Sequence, residues 1–358
     1  MLSEIKTRLA LKALPITICA SFLIAVPCQS WAQEVATVPA NDVQSGRLSL
    51  IEENDYFASH DDRHYTQGLK ATYLFGTTDA DNSKRCDWMD VGMPFEDGTC
   101  KRKYEWTVVG QNLYTPQNLN VSSQLTKERP YGAWLYTGLS LLQEHHYESH
   151  NTLENFEIQG GVVGPLAMGA ETQNGFHQLI GDTPSNGWNN QIHTEPGVVL
   201  VDERKWRFEL PLSGDFAIDT IPEAGATVGN VFDYAEISDV VRIGQNLRAD
   251  YGSNRIRPNL SGTGWFDKAQ MDGPLGWYVF AGSQGRAVGR NLFLDGNTFQ
   301  PSASVDKKPF VEDFLIGASA FWSDDIRADF TVTERTKEFY GQMGHPDRFG
   351  GIDIAFKL

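Results

Sequence analysis

Two short runs near the start of this chain hold residue types that do chemistry together. They are Glu53-Asn54-Asp55-Tyr56-Phe57 and Asp61-Asp62-Arg63-His64-Tyr65-Thr66-Gln67-Gly68. Carboxylate, amide and hydroxyl oxygens form the donor set of a hard cation such as Ca2+. An imidazole titrates near neutrality and suits proton transfer. A second histidine of interest, His177, sits in Gln173-Asn174-Gly175-Phe176-His177-Gln178-Leu179-Ile180-Gly181. No G-x-S-x-G elbow, H-E-x-x-H helix or phosphate-cradling glycine loop occurs, so serine-nucleophile catalysis has no local support. Each group also has a plain explanation. Asn54-Asp55 at a strand end is turn chemistry. Asp61-Asp62 is a solvated loop tip, Thr66 an ordinary strand residue, and a lone loop histidine is more often structural than catalytic.

The elements that must position these groups are strands. Ile352, Ile354, Phe356 and Leu358 alternate with Asp353, Ala355 and Lys357. Ile326, Ala328, Phe330 and Val332 alternate with Arg327, Asp329, Thr331 and Thr333. The same period of two runs through 69–75, 104–108 and 156–162. It gives each strand one apolar and one polar face. A soluble sandwich buries the apolar face, whereas an outer-membrane barrel turns it to lipid. Nine Trp, 12 Tyr and 20 Phe supply the aromatics of interfacial girdles and favour the barrel. Strands are expected near 47–56, 65–76, 104–113, 131–144, 150–163, 191–203, 207–226, 231–244, 274–290, 308–322, 325–336 and 348–358. The fold expected is therefore all-β, a twelve-stranded antiparallel barrel. One segment breaks the pattern: Ala170–Ile180 has helical spacing and Gly181 stops it, a short helix in an extracellular loop.

Residues 1–32 read as a secretory signal peptide. Lys6, Arg8 and Lys12 precede the apolar run 13–26, and Ser30-Trp31-Ala32 is a small-x-small cleavage site. The apolar run is shorter than the roughly 20 residues of a spanning helix. Residues 33–46 read as a polar leader, and 47–358 as the barrel. The whole chain carries a formal charge of −16, and removal of the basic leader makes it more acidic. That charge excludes nucleic acid as an expected partner. Cys86 and Cys100 remain after cleavage, and in an oxidising compartment they are expected to close one loop disulfide.

Taken in order, these segments resemble the Gram-negative outer-membrane lipid A 3'-O-deacylase family. The resemblance rests on Asn54-Asp55, Tyr65-Thr66-Gln67-Gly68, Gln111 with Tyr114-x-Pro116, and Tyr131-Gly132-Ala133-Trp134. It continues through Val163-Gly164-Pro165, the Gln-Asn-x-x-His-x-x-Ile-Gly run around His177, Trp188 and Gln191-Ile192. Over 47–192 the order and spacing make the set specific. The C-terminal half agrees mainly in alternation. Two positions depart from the family pattern. Asn120-Val121-Ser122 stands where a basic residue is expected, with Lys127 and Arg129 further along, and Thr183 stands where an acidic residue is expected.

The resemblance implies a monomeric outer-membrane ester hydrolase that removes the 3'-linked acyloxyacyl chains of lipid A within lipopolysaccharide. It implies His177 as general base, Asn54, Asp55 and Thr66 as further catalytic residues, and the same three as ligands of Ca2+. Two rival readings are an outer-membrane phospholipase and a non-catalytic barrel that serves as a pore or structural protein.

Overall fold

A computed structural model describes residues 45–59, 62–77, 99–123, 125–214, 216–259 and 263–358. The signal-peptide and leader readings, and the proposed Cys86–Cys100 bond, lie outside the described residues. Among the described residues thirteen strand segments form one sheet, and neighbouring segments pair antiparallel. They are β1 (Arg47–Asn54), β2 (His64–Leu74), β3 (Thr99–Thr115), β4 (Gly132–His146), β5 (Asn151–Val163), β6 (Glu195–Pro211) and β7 (Phe216–Thr220). The rest are β8 (Glu223–Gly229), β9 (Phe232–Gln245), β10 (Leu275–Asn291), β11 (Phe310–Trp322), β12 (Ile326–Arg335) and β13 (Asp347–Lys357). β7 and β8 each pair with both β6 and β9, so they are halves of one stave interrupted at Ile221-Pro222. β1 pairs with both β13 and β2, and β9 with β10, which closes a barrel of twelve staves.

Burial inverts the order of a soluble protein. On β13 Ile352 and Ile354 are exposed while Asp353 is buried. On β12 Ile326 and Phe330 are exposed while Arg327, Asp329, Thr331 and Thr333 are buried. Apolar side chains thus form the outer face and polar ones the lumen, as lipid on the outside requires. No described helix is long and apolar enough to cross a membrane, and the strands do the crossing.

The expected strands match the staves closely, with one correction. The turn expected between 203 and 207 does not exist, because β6 runs on to Pro211. The hairpin follows it, where Gly214 takes φ +63° and the Leu212 N–H donates to the Phe216 carbonyl at 2.8 Å.

The lumen is filled from within. Residues 246–259 and 263–274, between β9 and β10, leave the barrel at the end opposite the β5–β6 connection and fold back inside. Their two arms meet in a bridge between Asp250 and Phe266. Tyr251, Ile256, Trp265 and Phe266 are buried there. Arginines of the wall hold the segment. Arg242 and Arg327 both pair with Asp250. Arg286 and Arg335 share Asp313 at 2.8 and 2.9 Å, and each also donates to the Pro258 carbonyl.

The helix expected over 170–180 is α1, Gly169–Ile180, in the β5–β6 connection. It lies close against the wall. A Cβ on Gly169 would sit 2.5 Å from Trp188 and 2.7 Å from Ala133, so glycine is what lets the helix start there.

Candidate active site

The site is assembled at the α1 end of the barrel, where β1 gives way to a turn. Asn54 caps the single 3-10 turn Asp55–Phe57: its Oδ1 accepts from the Tyr56 N–H at 2.9 Å. Asp55 is buried behind this turn, and its Oδ2 accepts from the Arg63 N–H at 2.6 Å. Burial first, and then the nearby charge of Asp62, push the Asp55 carboxyl well above the usual range.

Thr66 is the extra residue of a β-bulge. β2 pairs with β3 through Tyr65 and then Gln67, leaving Thr66 between them. Its Oγ1 lies 2.6 Å from Thr115 Oγ1. Asn54, Asp55 and Thr66 are all buried, and no hydrogen bond joins them to one another among the described residues. The three reach their places by separate routes: a cap, a turn and a bulge.

His177 lies in the last turn of α1. Gly181, at φ +77°, ends the helix and turns the chain back, so that the Thr183 carbonyl lies 2.6 Å from His177 Nδ1. A carbonyl only accepts, so Nδ1 carries a proton. The other ring nitrogen, Nε2, stands 2.8 Å from Asp62 Oδ2. One proton therefore sits between Nε2 and the carboxyl of Asp62. Burial raises that carboxyl, and the charge of His177 opposes the rise. Asp62 is also tied to α1. Gln173 Nε2 donates to Asp62 Oδ1 at 3.0 Å, and Gln173 Oε1 accepts from Trp188 Nε1 at 2.7 Å.

Asp62 was legible in the sequence only as a loop tip. It belongs to the second run quoted at the outset, but nothing in its own spacing announces a partner on a distant helix. At the Thr183 position the backbone carbonyl, not a side chain, meets the histidine.

His177, Asp62 and Thr183 open onto a cleft of about 650 Å³. Asn118, Asn120, Glu128 and Met343 line its far side. Asn54, Asp55 and Thr66 are buried and are not among the residues that line it. Of the two basic residues that follow Asn120-Val121-Ser122, Arg129 faces inward, paired with Glu338 at 2.7 Å and stacked over Tyr114. Lys127 is exposed. His64, the imidazole of the second run quoted at the outset, is fully buried. Its Nδ1 lies 2.8 Å from Asp347 and its ring packs edge-on against Phe339.

The donors around Asp55 fit a hard cation. They are oxygens, with no thiol near among the described residues, and a buried carboxyl, Asp55, and a half-buried one, Asp62, repel one another there. Among the described residues one group of three acidic side chains is close enough to bind a metal ion, and it lies elsewhere. Glu203, Glu223 and Glu236 face the lumen, where Arg257, Lys205 and Gln284 already pair with them.

The sequence profile of a family described as Outer membrane protein LpxR matches residues 16–358. Among solved structures, LpxR from Salmonella typhimurium superposes with a TM-score of 0.67 at 22% identity, over 87% of this chain and 100% of that one. This likeness shows a shared fold. The β domain of the Bordetella autotransporter BrkA gives a TM-score of 0.41 at 7% identity, covering 88% of this chain and 100% of its own. The NalP translocator domain from Neisseria meningitidis gives 0.40 at 7% identity, covering 89% and 90%. No curated protein sequence matches.

Proposed function

We propose, from the premise that this chain belongs to the LpxR family of outer membrane proteins, that it hydrolyses the ester holding the 3'-linked acyloxyacyl group of lipid A. The observation that carries this reading is the imidazole of His177, held at the mouth of a cleft by the Thr183 carbonyl, with a second carboxyl, Asp55, buried behind its partner Asp62.

The step needs no protein nucleophile. Substrate entering the cleft displaces the Asp62 carboxyl group, which carries the shared proton away from Nε2, and a water molecule takes its place. Nε2 removes a proton as the water oxygen adds to the ester carbonyl carbon. The tetrahedral oxyanion then collapses. The bond to the sugar 3' oxygen breaks, and that oxygen takes the proton from His177. The products are a free 3'-hydroxyl and the acyloxyacyl carboxylic acid. The Thr183 carbonyl keeps the Nδ1 proton in place throughout, so the ring presents Nε2 to the water.

Asp55, with Asn54 and Thr66, would hold a calcium ion, which when bound supplies positive charge to the ester carbonyl and its oxyanion. Neutralising the repulsion between Asp55 and Asp62 is what these residues gain from it. The phospholipase reading shares this chemistry and differs only in substrate. The pore reading is disfavoured by the segment packed in the lumen, since Arg255, Arg257 and Trp265 fill the path.

Lipid extracts decide among the three. Outer membranes from cells making the wild-type protein should contain lipid A without its 3' chains, and those from cells making His177→Ala should not. Lysophospholipid in place of altered lipid A would move the reading to the phospholipase. Unchanged lipids of both kinds would remove catalysis.

A further inference from the structure

The lumenal segment does more than fill space. Its tip ends at Glu53, the residue immediately before Asn54-Asp55. Glu53 is fully buried and faces inward from β1. Its Oε1 accepts from Arg255 Nε at 2.6 Å and from the Ile256 N–H at 3.3 Å. Its Oε2 accepts from Asn259 Nδ2 at 2.6 Å and from the Tyr65 hydroxyl at 2.9 Å. Three of these four donors belong to residues 255–259.

The ladder around Glu53 is cut away to admit them. Glu53 pairs with Gly68 on one side and Gly351 on the other. A Cβ on Gly68 would collide with the Tyr65 hydroxyl and lie 2.9 Å from Ile256 Cδ1. A Cβ on Gly351 would lie 2.7 Å from Thr331 and 3.3 Å from Glu53 Cγ. The tip is itself anchored to other staves. Arg255 Nη2 donates to Thr333 Oγ1 at 3.0 Å, Asn259 Oδ1 accepts from Arg335, and the Arg257 carbonyl accepts from Asn112 at 2.7 Å.

We propose that residues 246–259 and 263–274 form a strut that seats the catalytic turn from inside the barrel, and that Arg255 and Asn259 are positioning residues acting through Glu53. The proposal deepens the hydrolase reading and rests on it for its kinetic part. β1 ends at Asn54, and the next residues must hold Asn54 Oδ1 and the Asp55 carboxyl in fixed places. A strand end at a barrel rim is free to fray. Clamping the last inward side chain of β1 with four donors removes that freedom. Supporting hydrogen bonds of this kind are worth about 10–100-fold in activity at comparable sites.

The test compares the full-length folded protein with Arg255→Ala, Asn259→Ala and Arg255→Lys. Arg248→Ala serves as control. Arg248 lies on the same segment, but it is solvent-exposed and pairs with Glu209 far from Glu53. Two quantities are read: kcat and KM for lipid A in detergent, and amide hydrogen exchange over residues 50–66 and 169–180. Arg255→Ala and Asn259→Ala should lower kcat by about 10–100-fold with KM little changed. They should speed exchange in 50–66 while leaving 169–180 as in wild type. Arg255→Lys, which keeps one charged donor, should recover part of both, and Arg248→Ala should change neither.

Wild-type exchange over 50–66 in both alanine variants overturns the strut, whatever the activity does. A loss of kcat with unaltered exchange there also overturns it, because the loss then arrives by another route. If wild type has no activity on lipid A, the hydrolase reading fails, and the exchange comparison still decides the strut. Should Arg255→Ala not fold, Asn259→Ala and Arg255→Lys carry both readouts.

Discussion

The lumen and the α1 rim of this barrel are both crowded with charge, and they treat it in opposite ways. In the lumen many carboxylates have a cation. Asp219 and Asp250 share Arg242, Asp313 holds Arg286 and Arg335, and Glu157 and Glu203 hold Arg257. These pairs are buried on both sides, where an unpartnered charge is costly. At the rim the accounts are left open. Asp55 receives the Arg63 backbone N–H, and Asp62 receives Gln173 and a proton shared with His177. Where charges are cancelled by neighbours, they hold the wall together. Where they are left in excess beside a cleft, they are the groups that the proposed reading assigns to a cation and a substrate.

The widest contrast comes from removing one group on each side. His177→Ala should lower deacylation by about 10²–10⁴-fold, the usual worth of a general base, while the barrel stays folded and heat-modifiable on gels. His64→Ala is the discriminating partner. His64 is buried against Asp347 and Phe339, so its loss should act through stability and leave the chemistry of the folded fraction in place. Activity that survives His177→Ala and dies with His64→Ala would reverse the assignment.

Asp55→Ala comes next and sharpens the claim that the rim is short of positive charge. Wild type should lose activity in chelator and regain it with Ca2+. Asp55→Ala removes the buried carboxylate, so its calcium midpoint should rise by at least about tenfold, the scale of losing one charge-assisted contact. Full wild-type activity in excess chelator would end the calcium reading. In the lumen, Arg242→Ala should do the reverse. It strands Asp219 and part of Asp250, at a cost of about 3–5 kcal/mol for a broken buried pair. Thermal unfolding should show that loss, while kcat of the folded protein should stay near wild type.

The same contrast explains what the sequence made legible. Alternation exposes staves because each residue answers to lipid or lumen, and Ile352 to Leu358 read correctly for that reason. α1 was legible because Gly181 ends a helical spacing at the right place. The segment 246–274 was a blank between two strands. It has no period, since its residues answer to individual arginines and glutamates on staves far apart in sequence. Asp62 was missed as a partner of His177 for the same reason, and the end of β6 because its alternation continues past the expected turn.

Thr66 gives the smallest effect and the finest division between the two regions. Its hydroxyl lies 2.6 Å from that of Thr115, so it has a structural use that needs no cation. Thr66→Val and Thr115→Val each keep the volume and break the same bond, worth about 1 kcal/mol. If that bond is all the hydroxyl does, the two variants should lower stability alike and titrate with calcium alike. If Thr66 is also a ligand, Thr66→Val alone should shift the calcium midpoint, by a few-fold and less than Asp55→Ala, because water replaces a neutral oxygen more readily than a carboxylate. The bulge favours the second outcome. A regular β2 would have spent Thr66 on the ladder, whereas the extra residue turns its side chain aside from the pairing of Tyr65 and Gln67. Identical calcium titrations for the two valine variants would place Thr66 with the wall and leave Asn54 and Asp55 as the rim's cation donors.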